Sequence, residues 1–450
     1  MAKNISYNQL FYAAALVVTV FAVYFPILGN DFLYYWDDQW QVLNHYTEGG
    51  ITIGNLWSIL TEFYGGQYSP VNQYMYLLIY SLFGYNPAVF HLASLLLHIG
   101  CVCFVYLIVL QVFRKRDAMY TQRDTNSVTQ SVSWMTALLF AVHPMNVESV
   151  AWISASKIVV YAFFYLAATY SFIFYLERKK LSFYILTVFL FLLSFGGKEQ
   201  AITFPVWLIL LCWLFGRSFK ERKVWMELTP FFLLSIALGI VTMLSQAANG
   251  GGVLSDTIQY PLWQRFVLCS FSLGEYIVKF TFPYNLLYIY PFPMLIGEPL
   301  PAWMLLYPAL TLIVTVTLWE YIKKMPVTVG LLFFLIHIAL ALHVVPLSRF
   351  VVIADRYIYL ACIGLSFIVA YYFIKYTLQQ TGIKRKMMFG CFSLIILFLG
   401  VYSNLRCRDW KDTDSIKREI RELIRQRADF VPEEFEQLLK DEKNGTQKEN

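Results

Sequence analysis

Two adjacent carboxylates, Asp37 and Asp38, follow an apolar run that closes at Leu28. Neighbouring acids at a membrane surface can divide labour. One takes a proton from a hydroxyl while the other holds a substrate or a cation. Two solvated turn acids would look the same in sequence. A denser set lies between His143 and Lys157, where His143, Asn146, Glu148 and Lys157 stand in a segment joining two apolar runs. Such groups are costly at a hydrocarbon boundary unless they line a wet cavity. Lys198 and Glu199 follow the pair Gly196-Gly197, either as a local ion pair in a hairpin or as part of a site. Asp355 and Arg356 open a late apolar run. There Arg356 is a snorkelling anchor or a planar fork for phosphate. Trp36 and Trp40 flank the acidic pair, where aromatic rings stack on sugars or anchor in the interface.

The elements that must position these residues are helices in a bilayer. Hydrophobic residues make up 58% of the chain and charged residues 14%. A soluble domain carries about 25% charged residues, so a water-soluble fold is excluded. Apolar runs fall at 8–28, 87–112, 132–143, 158–176, 181–196, 200–216, 225–246, 302–322, 327–344, 356–374 and 387–404. A crossing helix needs about 20 apolar residues, so the sequence predicts an all-α, polytopic membrane bundle of about eleven spans. Glu275 and Lys279 interrupt the run 264–282, which reads as interfacial or re-entrant. No cleavable signal peptide is evident, and Phe11–Leu28 reads as a retained first span. The expected organisation is a membrane domain over 1–404 and a short helical tail over 405–450. A first loop at 29–68 carries amphipathic helices near 37–45 and 52–63, lying on the membrane plane. In the tail, Ile416, Ile420, Leu423 and Ile424 mark one helical face. A second helix begins near Pro432, carrying Phe435, Leu438 and Leu439, and the end reads as disordered.

Basic residues set the orientation. Clusters at Arg114–Arg123, Arg178–Lys180, Arg217–Lys223, Lys323–Lys324 and Lys375–Lys386 follow the positive-inside pattern with a cytoplasmic N-terminus. Six further cations, Lys157, Lys198, Arg265, Lys279, Arg349 and Arg356, fall at outer ends of spans or in the interrupted run. Either local carboxylates such as Glu148, Glu199 and Asp355 pair with them, or they face an anionic ligand, a phosphate or pyrophosphate. The first outer loop is acidic, with no Lys or Arg between 29 and 68. The cysteines offer neither a disulfide framework nor a zinc-site spacing.

The order of these motifs resembles a known family. Tyr68-Ser69-Pro70-Val71, Phe90-His91-Leu92, Leu138–Pro144, Glu148–Ile153, Lys198-Glu199-Gln200 and Asp355–Leu360 follow the Asp-Asp loop. The chain thereby resembles the transmembrane and tetratricopeptide-repeat-containing (TMTC) protein O-mannosyltransferases and their bacterial relatives, of the GT-C superfamily. The likeness covers about 30–410, and its most specific part is the His-Pro/Ala-Trp segment. Ser69 and Asp355 depart from the family's Arg and Glu at those positions. The resemblance implies transfer of a sugar, mannose among the candidates, from a polyprenyl-phosphate donor to an acceptor hydroxyl on the extracytoplasmic face. It implies Asp38 as the first choice of general base and Asp37 as the second. Lys157, Lys198 and Arg356 would hold the donor phosphate. His143, Asn146, Glu148, Glu199, Trp36 and Trp40 would bind substrate.

The expected partners are the lipid-linked sugar, an acceptor protein (Ser or Thr) or glycolipid, and membrane lipid, with no nucleic acid. No metal site is expected, although Asp37, Asp38 and a donor phosphate could share a divalent cation. A surface-polysaccharide or glycolipid acceptor, a lipid-linked-sugar flippase and a non-enzymatic scaffold are the competing readings. The setting would be a bacterial cytoplasmic membrane with its site outside, or the endoplasmic reticulum membrane in a eukaryote.

Overall fold

The computed structural model describes residues 7–34, 36–120, 126–248, 260–294, 298–343 and 351–425. Arg349 and the expected second tail helix lie outside the described residues. The fold is all-helical, with no strand among the described residues. In chain order the helices are α1 Tyr7–Tyr24, α2 Asp38–Gln41, α3 His45–Glu48, α4 Ile53–Thr61, α5 Pro70–Phe83, α6 Pro87–Tyr120 and α7 Asn126–Val142. There follow α8 Val147–Ala151, α9 Ser156–Arg178, α10 Leu181–Phe195, α11 Phe204–Leu214, α12 Arg222–Ala248 and α13 Leu262–Thr281. The last are α14 Leu306–Thr317, α15 Trp319–Ile322, α16 Met325–Ile338, α17 Cys362–Gln379, α18 Gly382–Cys407 and α19 Thr413–Arg425.

Six helical segments are long and apolar enough to cross a membrane: Gln9–Gly29, Pro87–Lys115, Ile153–Arg178, Arg222–Ala248, Cys362–Gln379 and Gly382–Cys407. Five shorter apolar helices, Ser127–Val142, Leu181–Phe195, Glu199–Leu214, Ala302–Thr317 and Met325–Ala341, coincide with the remaining apolar runs of the sequence. The helix α13 belongs to neither group. The first-loop helices form where expected, as α2, α3 and α4. Asn44 caps α3 by accepting from Tyr46 and Thr47, and Thr52 caps α4 by accepting from Asn55.

The core sits around α9. Ala162, Tyr165, Ala168, Phe172 and Ile173 on this helix are buried to within 0% exposure. It packs against α10, its antiparallel neighbour, and against α6, which runs parallel to it. Small residues let the helices approach. A side-chain carbon on Gly100 of α6 would run into the ring of Phe163 on α9, at 2.5 Å. The exposed apolar side chains, such as Leu233 and Ile236 on α12 or Leu312 and Ile313 on α14, lie on outer helix faces. That distribution suits a lipid solvent rather than water.

Candidate functional site

The site is organised by the segment from His143 to Lys157, which breaks the helical run between α7 and α9 into short turns. Each turn delivers one side chain or backbone group to a different partner. Ser154 gives its backbone N–H to Oδ1 of Asp38 at 2.9 Å, and its hydroxyl donates to the same oxygen. The N–H of Leu33 donates to the other oxygen, Oδ2, at 2.9 Å. Asp38 is fully buried, and burial pushes its carboxyl up to about 6 against the opposing pull of the Ser154 and Leu33 donors. Asp37, one residue earlier, keeps partial exposure and accepts from the Trp40 indole at 3.3 Å. The two acids are therefore different: one is bonded into the scaffold, the other keeps partial exposure beside Trp40.

Glu148 at the first turn of α8 is buried and bonds Arg356 twice. Its Oε2 accepts from the Arg356 backbone N–H at 2.8 Å and its Oε1 from the guanidinium at 2.5 Å. The guanidinium also lies over the rings of Trp152, at 5.6 Å, and Tyr357, at 5.0 Å. Glu148 thus positions Arg356, and its oxygens face the arginine rather than a ligand.

Lys157 opens α9. Its ammonium donates to Gln41 Oε1 at 3.1 Å and to Gln67 Oε1 at 2.8 Å. Among the described residues no carboxylate lies within ion-pair distance of it. The charges of Lys198, Asp37, Glu199 and Arg356 all act on this ammonium. Lys198 pairs with Glu199 at 3.3 Å. The turn that presents them depends on glycine. A side-chain carbon at Gly196 would meet Val71 of α5 at 2.5 Å, and one at Gly197 would meet the Tyr161 backbone of α9 at 2.8 Å. The Gly196 carbonyl in turn accepts from the Val71 N–H at 2.9 Å.

Beside Lys157 lies a small polar hollow of about 40 Å³, walled by Trp40, Gln41, Tyr46, Tyr64, Gln67 and Gln73. Trp40 is held there because Gly65, at φ +56°, leaves room for the indole that any side chain would fill. The Gln41 amide nitrogen is buried and makes no hydrogen bond among the described residues. Trp36 is half-buried against the main core.

His143 and Asn146, expected to bind substrate, are bonded within the fold, as Glu148 is to Arg356. His143 accepts from the Met145 N–H at Nδ1, so its Nε2 carries the proton and donates to the Phe280 carbonyl at 3.0 Å. Its ring stacks on Phe280 at 4.6 Å. Asn146 donates to the Phe140 carbonyl at 2.7 Å and accepts from the Cys362 thiol at 3.6 Å. Both tie the ends of helices together; neither faces the hollow. Glu199, Lys198, Lys157, Arg356, Asp37 and Trp40 remain grouped.

Sequence reasoning missed four participants. Ser154, Gln41 and Gln67 are neutral residues of types common in any turn or loop. Arg406, read as part of a tail, closes the last turn of α18 and is buried. It pairs with Asp355 at 2.8 Å, and Tyr290 donates to the other Asp355 oxygen at 2.9 Å. The residues beyond it are strapped to the first loop. Asn30 donates to the carbonyls of Cys407 and Trp410, and Asp31 N–H donates to Lys411. Trp410 stacks on Trp152 at 5.4 Å. Among the described residues no group of three His, Cys, Asp or Glu side chains stands together as metal ligands would. Of the remaining displaced cations, Arg265 donates to the His343 carbonyl and Lys279 to the Asn285 carbonyl.

Comparison with known proteins follows the same line. No family model matches the chain. The chain is similar to the human protein O-mannosyl-transferase TMTC1, at 30% identity over 147 residues, 30% of this chain. It is also similar to the Drosophila melanogaster protein O-mannosyl-transferase Tmtc1, at 26% identity over 224 residues, 48% of this chain. The matched stretches span 15% and 24% of those two proteins' own lengths. The similarity is partial and distant, and it agrees in kind with an all-helical chain bearing several membrane-length helices.

Proposed function

We propose that this protein is a membrane glycosyltransferase that moves a hexose, mannose first among candidates, from a polyprenyl-phosphate donor to a Ser or Thr hydroxyl. The observation that carries the reading is the setting of Lys157. A half-buried ammonium held by two neutral amides, with Lys198 and Arg356 nearby and no carboxylate in ion-pair contact among the described residues, is a cation suited to a bound anion. A phosphate at the membrane interface is such an anion. In this scheme Lys157, Lys198 and Arg356 hold the donor phosphate. The acceptor oxygen attacks the sugar's anomeric carbon as the bond from that carbon to the phosphate oxygen breaks. The leaving polyprenyl phosphate gains negative charge, which the three cations offset.

The acceptor proton goes to a carboxylate. Asp37 takes that role in preference to Asp38, because Asp37 is accessible and Asp38 spends its oxygens on Ser154 and Leu33. Asp38 then holds the first loop against the α8–α9 connection and places Asp37. Trp40 and the hollow beside Gln41 would take hydroxyls of the sugar or acceptor. A divalent cation is not needed for this balance of charge.

The test is direct. Purified protein is incubated with polyprenyl-phosphate hexoses and Ser/Thr-rich peptides, and the products are read by mass spectrometry. A hexose added to peptide by the native protein, and lost in Lys157→Met and Asp37→Asn, supports the proposal. Hexose on a glycolipid instead moves the acceptor to lipid. No transfer from any donor, with donor crossing proteoliposomes, favours a flippase.

A further inference from the structure

A second cavity lies at the opposite end of the bundle, away from the residues just described. It has a volume of about 220 Å³ and is enclosed by α6, α9, α11, α16 and α17. Its deep wall is Ile108, Leu166, Trp207, Ile363 and Phe367, all buried. Val112, Phe113, Met325, Val329 and Tyr371 are among the lining residues that keep some exposure, so the cavity opens where these stand. The lining is apolar apart from the Tyr371 phenol at the opening and Thr169, whose hydroxyl is taken by the Trp207 indole at 3.0 Å and bonds back to the Tyr165 carbonyl. Water finds few partners in such a space. An engineered apolar cavity of about 150 Å³ stays dry and takes up benzene, so this one has room for a longer hydrocarbon.

The rim carries positive charge. Arg114 and Lys115 follow Phe113 on α6, Lys324 precedes Met325 at the start of α16, and Lys375 lies one turn beyond Tyr371 on α17. Among the described residues, none of these four forms an ion pair. Glu320 bonds Lys323 at 2.7 Å and Glu227 bonds Arg217 at 3.0 Å, Glu177 acts on Tyr170 together with Arg114, and the Lys324 and Lys375 ammonium groups lie over the rings of Tyr321 and Tyr372. An apolar slot beside four cations that have no ion-pair partner among the described residues suits an anionic amphiphile.

We propose that this cavity holds one acyl chain of an anionic phospholipid, whose phosphate is bound by Arg114, Lys115, Lys324 and Lys375. The lipid would wedge between α6, α16 and α17 and occupy volume that the helices leave open. The close crossing of α16 on α17 explains why the slot cannot collapse. Gly330 and Gly364 already touch backbone to backbone, since a side-chain carbon on Gly364 would meet the Gly330 carbonyl. The site is independent of the sugar-transfer reading and could hold if that reading failed.

The experiment is lipid retention by the full-length protein purified in mild detergent and stripped by washing, read by native mass spectrometry. The native chain should retain about one phospholipid, with anionic headgroups favoured roughly tenfold over neutral ones. Val329→Trp, which fills the slot, should abolish retention. Arg114→Gln with Lys375→Gln should keep a lipid and lose the preference for anionic headgroups. Should Val329→Trp fail to fold, phospholipid brominated along the chain serves instead: it should quench native fluorescence more than that of Trp207→Phe, because Trp207 is buried and reachable only from inside the slot. Retention unchanged in Val329→Trp, a retained polyisoprenoid in place of phospholipid, equal retention of neutral lipid, or quenching equal in the native chain and Trp207→Phe would each overturn the proposal.

Discussion

Ser154 presents both its backbone N–H and its hydroxyl to one oxygen of Asp38, a residue 116 positions earlier in the chain. This joint makes the acidic first loop and the α8–α9 connection one unit. It is also a titrating joint. Burial raises the folded-state carboxyl of Asp38 to about 6, above its ordinary 3.8. A carboxyl raised on folding favours the folded state while it is protonated. That contribution is full below about 3.8 and is lost as pH rises through about 6. Asp38→Asn should therefore remove a pH dependence worth on the order of 2–3 kcal/mol between these limits. The measurement is the thermal midpoint in detergent against pH. A native profile parallel to that of Asp38→Asn across this window would refute the assignment.

Lys157 separates function from stability. A half-buried ammonium with no carboxylate in ion-pair contact among the described residues costs free energy in the resting protein. Lys157→Met should leave the thermal midpoint unchanged or raise it, while sugar transfer falls by about 100-fold or more through lost stabilisation of the leaving phosphate. If stability falls instead and transfer persists, the ammonium is a structural pin between Gln41 and Gln67.

Glu148 and Arg356 should behave as a coupled pair. Breaking a buried pair from one side leaves a charge alone and costs about 3–5 kcal/mol. Glu148→Gln should therefore destabilise strongly, whereas Glu148→Gln with Arg356→Met should recover much of the loss. Transfer should remain low in both, because the double variant regains packing without regaining the guanidinium. Arg356→Lys keeps the charge and loses the fork geometry, so donor KM should rise with a smaller loss of stability. Additive effects in this cycle would remove the coupling.

These partners explain what was legible in the sequence. The apolar runs were visible because a bilayer imposes them residue by residue; each of the eleven coincides with one of the six long or five shorter apolar helices. Lys157, Lys198 and Arg356 stood out because cations there run against the charge pattern of the other loops. Glu148 was visible as a costly polar group, but its partner Arg356 lies 208 residues away, and no local periodicity encodes that. His143 and Asn146 were marked for the same cost, yet their polarity is spent on carbonyls left open where helices break. Gln41, Gln67 and Ser154 carry no charge and left no mark. Arg406 was hidden by its neighbours, since a basic residue at the end of a span looks like a topology signal until Asp355 is found beside it.

Trp410 tests how far the strap after α18 supports the site. Its ring stacks on Trp152, which itself lies under the Arg356 guanidinium. Trp410→Ala opens a cavity against Trp152 and should cost about 3–5 kcal/mol, the range for loss of a buried large aromatic. Trp410→Phe keeps most of the stacking and should recover stability and transfer together. A stable Trp410→Ala protein with normal donor KM would mean that Arg356 is held by Glu148 alone.

Gly197 places the Lys198 ammonium by letting the α10–α11 turn lie on α9. An added methyl would meet the Tyr161 backbone N at 2.8 Å and Cα at 3.0 Å. Backbone of a buried helix cannot give way as a side-chain tip can, so the turn itself must shift. Gly197→Ala should therefore lower transfer through a higher donor KM and lower the thermal midpoint. Gly239→Ala on α12 has nothing within 4 Å and is the matched control, expected to be neutral or slightly stabilising because alanine favours a helix interior over glycine. Equal behaviour of the two variants would mean that the turn has slack and that Lys198 is not held where the donor phosphate needs it.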